Sequence, residues 1–374
     1  MTILELGKFY PPHHGGIETL LRSWCHGFVQ RGARVDCVVA NDTARTVHEY
    51  VEGVSVHRLC SFGTAFSTSL CPSYCSSTRR FPADIWHAHF PNPLADFACV
   101  RGDPKVPLVV SYHSDVIRQS RLMRFYSPLM RRLLQRATRI VVATPPQLEH
   151  STWLGPYREK CEIIPFGIDW KRFEATVEIK RRSAELRKAA NDLPILLNIG
   201  RLVGYKGQRY LIEAAKEFNA AVWFVGTGPL ETELKAQANS LGMANRVRFY
   251  GAVDDADLPA MIHACDVFVL PSVTPNEAFG IVQLEAMACA RPVISCDLAS
   301  GVPFVNQNGI TGIVVPPANV KKLAEGIGRL LGDPAIRERM GEAGRCRAQQ
   351  EFDENVMIDR YWNLFERLLA ARPA

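Results

Sequence analysis

Twice along this chain, short apolar runs of strand length alternate with segments of helical spacing, and the alternation stops and restarts across a charged connector. The first series contains ILELGKFY, RVDCVVA, SVHRLC, DIWHAHF, LVVSYH, IVVAT and EIIPFG, with a helix expected from Ile17 to Arg31. The second contains ILLNIGR, AVWFVGTG, RVRFYG, DVFVLPS, PVISCD and GIVVPP, separated by helical patterns such as GQRYLIEAAKEF and PLETELKAQANSLG. A strand can pair parallel to its predecessor only after a crossover, and an amphipathic helix is the usual crossover, so this alternation implies βαβ units and mostly parallel sheets. At 374 residues the chain exceeds the size at which one core normally divides. The expected fold is α/β, with two Rossmann-like doubly wound domains over residues 1–168 and 169–353. The last helix, Glu354 to Ala370 within a segment 354–374, is amphipathic and is expected to pack back on the first domain. The connector, Asp169 to Asp192, is read as a charged stretch without strand character.

Composition excludes several classes. Hydrophobic residues at 47% and charged residues at 22% describe an ordinary globular protein. No apolar run reaches membrane-spanning length, and the start MTILELGKFYPP lacks a basic-then-apolar signal pattern, so a cytoplasmic location is expected. The eleven cysteines show no C-x-x-C pair or regular spacing, which favours reduced, mostly buried thiols and no structural metal. The net charge of +6 matters through its distribution. Arg118, Arg121, Arg124, Arg131, Arg132 and Arg136 are interleaved with leucines and aromatics in IRQSRLMRFYSPLMRRLLQRA, read as a basic amphipathic helix pair broken at Pro128. That pattern suits either a solvated domain helix or attachment to an anionic membrane surface at the inner face of the plasma membrane. No nucleic-acid module is present, so no nucleic-acid partner is expected.

Chemistry concentrates where strands are expected to end. In PNEAFGIVQLEAMACARPVIS, Glu277 and Glu285 flank a tight Phe279, Gly280, Ile281 turn behind the strand DVFVLPS. A helix beginning over Phe279 to Val282 would aim unpaired N–H groups and a positive dipole end at an anion. Eight residues on one helix would separate the two acids by about 12 Å along the axis, so they are assigned separate tasks. Glu277 would point at a reacting group and Glu285 would accept hydrogen bonds from hydroxyls such as those of a ribose; the bland alternative makes one a helix-start residue and the other a solvated helix face. Arg201 and Lys206 in NIGRLVGYKGQ can converge on a diphosphate as a fork and a point charge. Gly226 and Gly228 in FVGTGP would let a base or ribose approach, and Gly15 and Gly16 in KFYPPHHGGIE sit at a helix start suited to a phosphate. His113, behind LVVSY, can hold a sugar hydroxyl or shuttle a proton, whereas His87 and His89 in IWHAHF read as packed core histidines.

Together these segments resemble the retaining glycosyltransferases of the large group that includes phosphatidylinositol mannosyltransferases and sucrose synthases. The carriers are PPHHGGIE, SYHSDV, IIPFGID, GRLVGYKG, VGTGP and above all EAFGIVQLE, with seven residues between its glutamates. The resemblance implies the GT-B fold, two Rossmann-like domains facing across a cleft. It implies transfer of a sugar from a nucleoside diphosphate sugar with retained configuration and no bound metal or cofactor. By position, Arg201 and Lys206 would neutralise the diphosphate, and Glu277 with the N–H groups of Phe279, Gly280 and Ile281 would contact the sugar or phosphate. Glu285 would bind the ribose, Gly15 and Gly16 would approach the donor phosphate or the acceptor, and His113 would hold a sugar hydroxyl.

Two positions depart from that pattern. Ala290 stands where a glycine is common after the helix, and Phe304 where many members have glutamate. The resemblance to bacterial O-antigen and exopolysaccharide transferases implies a lipid-linked glycan acceptor. It orders the donors as GDP-mannose first and a UDP-hexose next. A nucleoside diphosphate sugar epimerase and a lectin-like scaffold remain the alternatives from other classes. A covalent glycosyl-Glu277 route and front-face attack both fit retention, with the phosphate-centred cations favouring the second.

Overall fold

The computed structural model describes residues 1–13, 15–65, 68–115 and 120–371, and the chain divides into two compact units, residues 1–166 with 355–374, and residues 167–354. In the first unit the strands are β1 (Thr2–Leu6), β2 (Arg34–Ala40), β3 (Val47–Val51), β4 (Val54–Leu59), the short pair β5 (Thr64–Ala65) and β6 (Thr68–Ser69), β7 (Ile85–Phe90), β8 (Leu108–Tyr112), β9 (Arg139–Val142) and β10 (Cys161–Ile163). Eight of them form one sheet in the order β10-β9-β8-β7-β1-β2-β4-β3, parallel throughout except for β3, which runs antiparallel to β4. The second unit holds β11 (Ile195–Ile199), β12 (Ala221–Val225), β13 (Val247–Phe249), β14 (Val267–Leu270), β15 (Val293–Cys296) and β16 (Gly312–Val315), all parallel, in the order β13-β12-β11-β14-β15-β16. Both sheets are doubly wound. Every residue of β7, β8, β11 and β12 is buried, which explains why these strands read as continuous apolar runs.

Helix Gly16–Gln30 buries Leu20, Leu21, Trp24, Cys25 and Phe28, and helix Glu354–Ala370 buries Met357, Ile358, Tyr361, Leu364, Phe365 and Leu368. The two meet within the first unit: Trp24 lies 5.4 Å from Tyr361 and Phe28 lies 5.1 Å from Phe365, ring to ring. A Cβ on Gly27 would sit 2.2 Å from the Ile358 side chain, so the missing side chain is what lets the helices approach. Each large apolar side chain so buried contributes about 2 kcal/mol.

The structure corrects one reading of the sequence and adds two elements that the sequence did not show. First, the arginine-rich segment is one continuous helix, Ser120–Arg136, with Pro128 inside it rather than at a break. An interior proline costs about 3 kcal/mol, but Met130, Leu133 and Leu134 on the same helix are fully buried in the core of the unit and outweigh it. Tyr126 also donates to Asp96, whose carboxyl is pushed up to about 8 by burial. Second, the charged connector is structural. It forms helix Val177–Ala189, capped by Thr176 Oγ1 accepting from the Ile179 N–H at 3.2 Å, and Arg187 donates to the Ala264 carbonyl (2.7 Å) and Asp266 (3.1 Å). Its apolar positions are too few to show as a helical stripe. Third, β3 went unread because its sequence VHEYV lies on the exposed sheet edge and needs no apolar face.

Ala290 closes the turn after helix Val282–Ala288 in the left-handed region, φ +53°, donating to the Met287 carbonyl at 2.8 Å. That conformation costs a residue with a Cβ about 1–2 kcal/mol relative to glycine. Ala290→Gly is therefore expected to stabilise the protein by about 0.5–1 kcal/mol after allowing for the freer unfolded chain. Urea denaturation measures it; an unchanged or lower midpoint would contradict the assignment.

Candidate functional site

The carboxyl ends of β11 and β14 are neighbours in the second sheet, and the loops that leave them are laced together. The Val273 N–H donates to the Tyr205 carbonyl at 2.8 Å. Gly207, at φ +68°, presses so close to Pro271 that a Cβ there would lie 2.0 Å from the Pro271 oxygen. This backbone contact brings Lys206, at the end of a short turn Gly204–Lys206, onto Glu277. The Lys206 ammonium is 2.6 Å from Glu277 Oε2, and the Ser272 hydroxyl donates to the same oxygen at 2.7 Å. The two charged side chains are only 11% and 9% exposed, and Ser272 is fully buried. A charge pair so removed from water holds only when its hydrogen bonds are made, and Ser272, absent from the sequence-based assignment, supplies the second of them. The signal for it was its place two residues after β14 in the same loop.

Arg201, by contrast, is exposed, and no side-chain partner holds its guanidinium among the described residues. Phe279 is buried against Phe352, and Gly280 adopts φ +72° with Leu270 and Gln283 filling the space a side chain would need. The helix behind this turn begins at Val282, the last position of the expected start, so Phe279, Gly280 and Ile281 precede it. The N–H groups of Gly280 and Ile281 donate to no acceptor among the described residues.

Glu285 overturns its solvated-face reading. Its Oε2 is shielded from solvent and has no hydrogen-bond partner among the described residues. Burial pushes the carboxyl up to about 7, against a smaller opposing pull from Arg172. Gly226 and Gly228 also have a structural reason for lacking side chains: a Cβ would lie 2.3 Å from the Gly200 oxygen and 2.4 Å from the Leu202 oxygen, respectively. They let the β12 loop pack on the β11 loop, and the space expected for a base or ribose on their Cβ side is filled by backbone. At the other departure, Phe304 packs 6.2 Å from Phe352 under the Arg347 guanidinium, an aromatic and cation cluster in place of a carboxylate.

In the first unit, Gly15 caps helix Gly16–Gln30 in extended backbone, and the Glu18 carboxylate folds over it, 2.1 Å from where a Cβ would stand. Both glycines are exposed. His113 follows β8, is buried, and faces His89, with Nε2 3.2 Å from His89 Nδ1. Burial holds its imidazole well below the ordinary range, that is, neutral. Asp115, two residues on, pins this strand end: it accepts from Tyr112 and Ser151 (2.7 Å each) and from Thr152. His87 and His89 are core residues as read, yet polar ones, both bound to Glu5, which the sequence reading passed over. Glu5, His87 and His89 bring ligand-type atoms within 4.8 Å of one another, but N···O separations of 2.9 and 3.0 Å are those of hydrogen bonds. Of the basic helix, Arg124, Arg131 and Arg132 are exposed and Phe125 is 80% exposed. Arg118 lies outside the described residues, as does the side chain of Arg121. Among the described residues no helix is long and apolar enough to cross a membrane.

Two family models match. One described as glycosyl transferases group 1 covers residues 180–347, and one described as a glycosyl transferase 4-like domain covers residues 15–167. The chain is 33% identical over 378 residues to O-antigen chain mannosyltransferase C of Escherichia coli, covering 100% of both chains. It is 33% identical over 359 residues to D-rhamnosyltransferase WbpZ of Pseudomonas aeruginosa, covering 94% of this chain and 92% of the relative. Among solved structures, Anabaena HepE in complex with UDP and glucose superposes with a TM-score of 0.81 at 20% identity, over 98% of this chain and 100% of that one, a likeness of fold.

The Lys206 and Glu277 side chains should be energetically coupled. A double-mutant cycle with Lys206→Met and Glu277→Gln is expected to give a coupling of about 2 kcal/mol, each single change leaving its partner poorly compensated. Additive losses in thermal or urea unfolding would show that the pair is not formed.

Proposed function

Because the chain belongs to the glycosyl transferases group 1 family, with the GT-B fold of two Rossmann-like doubly wound domains, we propose that this glycosyltransferase retains configuration and needs no metal. Its donor is a nucleoside diphosphate sugar, GDP-mannose before a UDP-hexose, and its acceptor a lipid-linked glycan in surface polysaccharide assembly. The observation that carries this is the Lys206, Glu277 and Ser272 cluster at adjoining strand ends, with the unpartnered Arg201 beside it in the same loop as Lys206. The full-length likeness to an O-antigen mannosyltransferase supports the donor and pathway, and the HepE complex with UDP keeps the uridine donor as the second choice.

In this mechanism Arg201 and Lys206 hold the diphosphate and supply the positive charge that its departure requires. The N–H groups of Gly280 and Ile281, which precede the short helix, approach the same ligand. Glu277 contacts the transferred sugar. Its Oε2 is occupied by both Lys206 and Ser272, which makes it a poor nucleophile and supports front-face attack. The acceptor oxygen then bonds to the anomeric carbon on the face from which the phosphate leaves, and the acceptor's hydroxyl proton passes to the departing phosphate oxygen. His113 holds a hydroxyl of the sugar. Glu285, with a sequestered and unpartnered carboxyl oxygen, accepts from the ribose hydroxyls. Gly15 and Gly16 leave room at the start of their helix for the phosphate or the acceptor, with Glu18 moving aside. Exposed Arg124, Arg131 and Arg132 around Phe125 suit contact with anionic headgroups, which supports a peripheral position at the cytoplasmic face.

Radiolabelled sugar nucleotides incubated with the protein and a membrane lipid extract test this reading. Label should enter lipid from GDP-mannose, and Glu277→Ala and Lys206→Ala should abolish transfer while remaining folded. Acceptor-independent isomerisation would instead indicate an epimerase, and no reaction with any donor would leave a binding protein.

The Glu285 role has a pH signature. Burial pushes its carboxyl up to about 7, and ionisation turns a group that partly donates into a stronger, acceptor-only carboxylate for two hydroxyls, so nucleotide affinity should rise as pH increases through about 7. Calorimetric titration with GDP between acidic and mildly alkaline pH should show that rise in the parent and its loss in Glu285→Gln; parallel profiles would remove Glu285 from the nucleotide site.

A further inference from the structure

The core of the first unit contains a continuous chain of polar side chains that packing alone does not call for. Glu5 on β1, His87 and His89 on β7, and Ser111 on β8 share one face of three adjacent strands, and His113 follows β8 directly. All five are almost completely buried. From one end, the Tyr361 hydroxyl meets Ser111 Oγ at 2.6 Å, and Ser111 Oγ meets His87 Nε2 at 2.8 Å. His87 Nδ1 meets Glu5 Oε1 at 2.9 Å, Glu5 Oε2 meets His89 Nε2 at 3.0 Å, and His89 Nδ1 meets His113 Nε2 at 3.2 Å. The Trp24 ring stacks on His89 at 4.8 Å and fixes its plane. The last atom of the chain, His113 Nδ1, is buried and has no partner among the described residues.

Proton positions along this chain follow from donor and acceptor counting. An ionised carboxylate only accepts, and Glu5 is held down to about 2, with its two histidine partners outweighing the cost of burial. Both imidazole nitrogens facing Glu5 must therefore carry hydrogen. His89 is lowered to about 4 by burial and is neutral. Its single proton is on Nε2, so its Nδ1 is a bare acceptor. The contact with His113 is then a hydrogen bond only if His113 Nε2 donates. His113 is neutral as well, so its Nδ1 carries a lone pair and no proton. On the other arm, Ser111 Oγ lies between His87 Nε2 and the Tyr361 hydroxyl, at hydrogen-bond distance from both, and continues the line to the far side of the sheet face.

We propose that Glu5, acting through His89, is a positioning residue that holds His113 in the Nε2–H tautomer, so that His113 Nδ1 can accept, but not give, a hydrogen bond to a hydroxyl of the bound sugar. This deepens the proposed function and rests on its assignment of His113. It also gives the site a chemical preference. A sugar carrying a free hydroxyl at that position satisfies the buried lone pair; a deoxy or O-methyl sugar leaves it unpaired and is rejected.

The tautomer can be measured in the free protein without substrate. Long-range proton–nitrogen correlation spectra of the full chain labelled with ¹⁵N-histidine, with His113 assigned by its loss in His113→Ala, should show a protonated Nε2 and an unprotonated, imine-type Nδ1. A protonated Nδ1 overturns the proposal. In Glu5→Gln, the amide offers one acceptor where the carboxylate offered two, so a shift of the His113 resonances toward a tautomer mixture is expected. With it should come a fall in kcat/KM of about tenfold to a hundredfold, the usual size for an outer partner of a working group. The same change in a His113→Ala background should cost little more. An equal further loss there would mean that Glu5 acts through packing and not through His113, and full activity in Glu5→Gln with a changed tautomer would also sink the idea. Stoichiometric zinc in the purified protein would reassign Glu5, His87 and His89 as ligands and overturn it too. If the tautomer is as stated but no sugar nucleotide supports transfer, the transferase mechanism fails while the hydrogen-bond order stands.

Discussion

A parallel strand leaves its sheet at the same edge as its neighbours, and this constraint gathers the candidate site residues of each unit. The loops after β1, β8, β11, β12 and β14 carry Gly15, His113, Lys206, Gly226 and Glu277, residues scattered over more than half of the sequence. Within each unit they emerge at the carboxyl edge, where helix starts and unpaired backbone N–H groups are exposed and where open α/β sheets bind ligands. The buried interiors of the strands contribute rigidity to this edge. β11 and β14 are adjacent in the sheet, so two loops separated by some seventy residues in the chain become neighbours without any further device.

At that edge, glycines set the spacing between loops more than the spacing to a ligand. Gly207 against Pro271, Gly226 against Gly200 and Gly228 against Leu202 each remove a Cβ that would overlap backbone oxygen. Tight backbone lacing then dictates where the long polar side chains can go, and Lys206 has little choice but to meet Glu277. A buried ion pair of this kind adds little net stability, because desolvation offsets most of the Coulomb attraction. Its effect is positional: the Lys206 ammonium and the Glu277 carboxylate are held in one place, largely out of water. In the first unit a buried carboxylate, Glu5, sits at the centre of a line of hydrogen bonds, and the line ends at His113 Nδ1, which has no partner among the described residues.

Much of the fold was legible because the strands are buried on both faces, which leaves an unmistakable apolar run such as LVVSY or AVWFV. What escaped notice was polar or exposed. β3 has no apolar face, helix Val177–Ala189 has few apolar positions, and the helix through Pro128 is held together by three buried side chains that lie beyond the proline. The site divides in the same way. Glu277, Lys206 and His113 could be found from their loops and spacing, but Ser272 and Glu5 have no motif of their own, and Gly226 and Gly228 suggested ligand contact where the structure has backbone contact.

Sequence alone determined the alternation of strands and helices, the restart that makes two doubly wound units, and the identity of the acids, cations and histidine that end the strands. These are local properties, set by apolar periodicity and by residue type next to a strand end. Tertiary structure alone decided the pairings and the protonation. Glu277 is bound to Lys206, the Glu285 carboxyl has one oxygen shielded from solvent and is shifted toward neutral pH, and His113 is linked through His89 to a glutamate 108 positions earlier in the chain. The physical reason is that an ionisable group takes its state from the dielectric and the partners around it, and these are supplied by strands that are neighbours in space and remote in sequence.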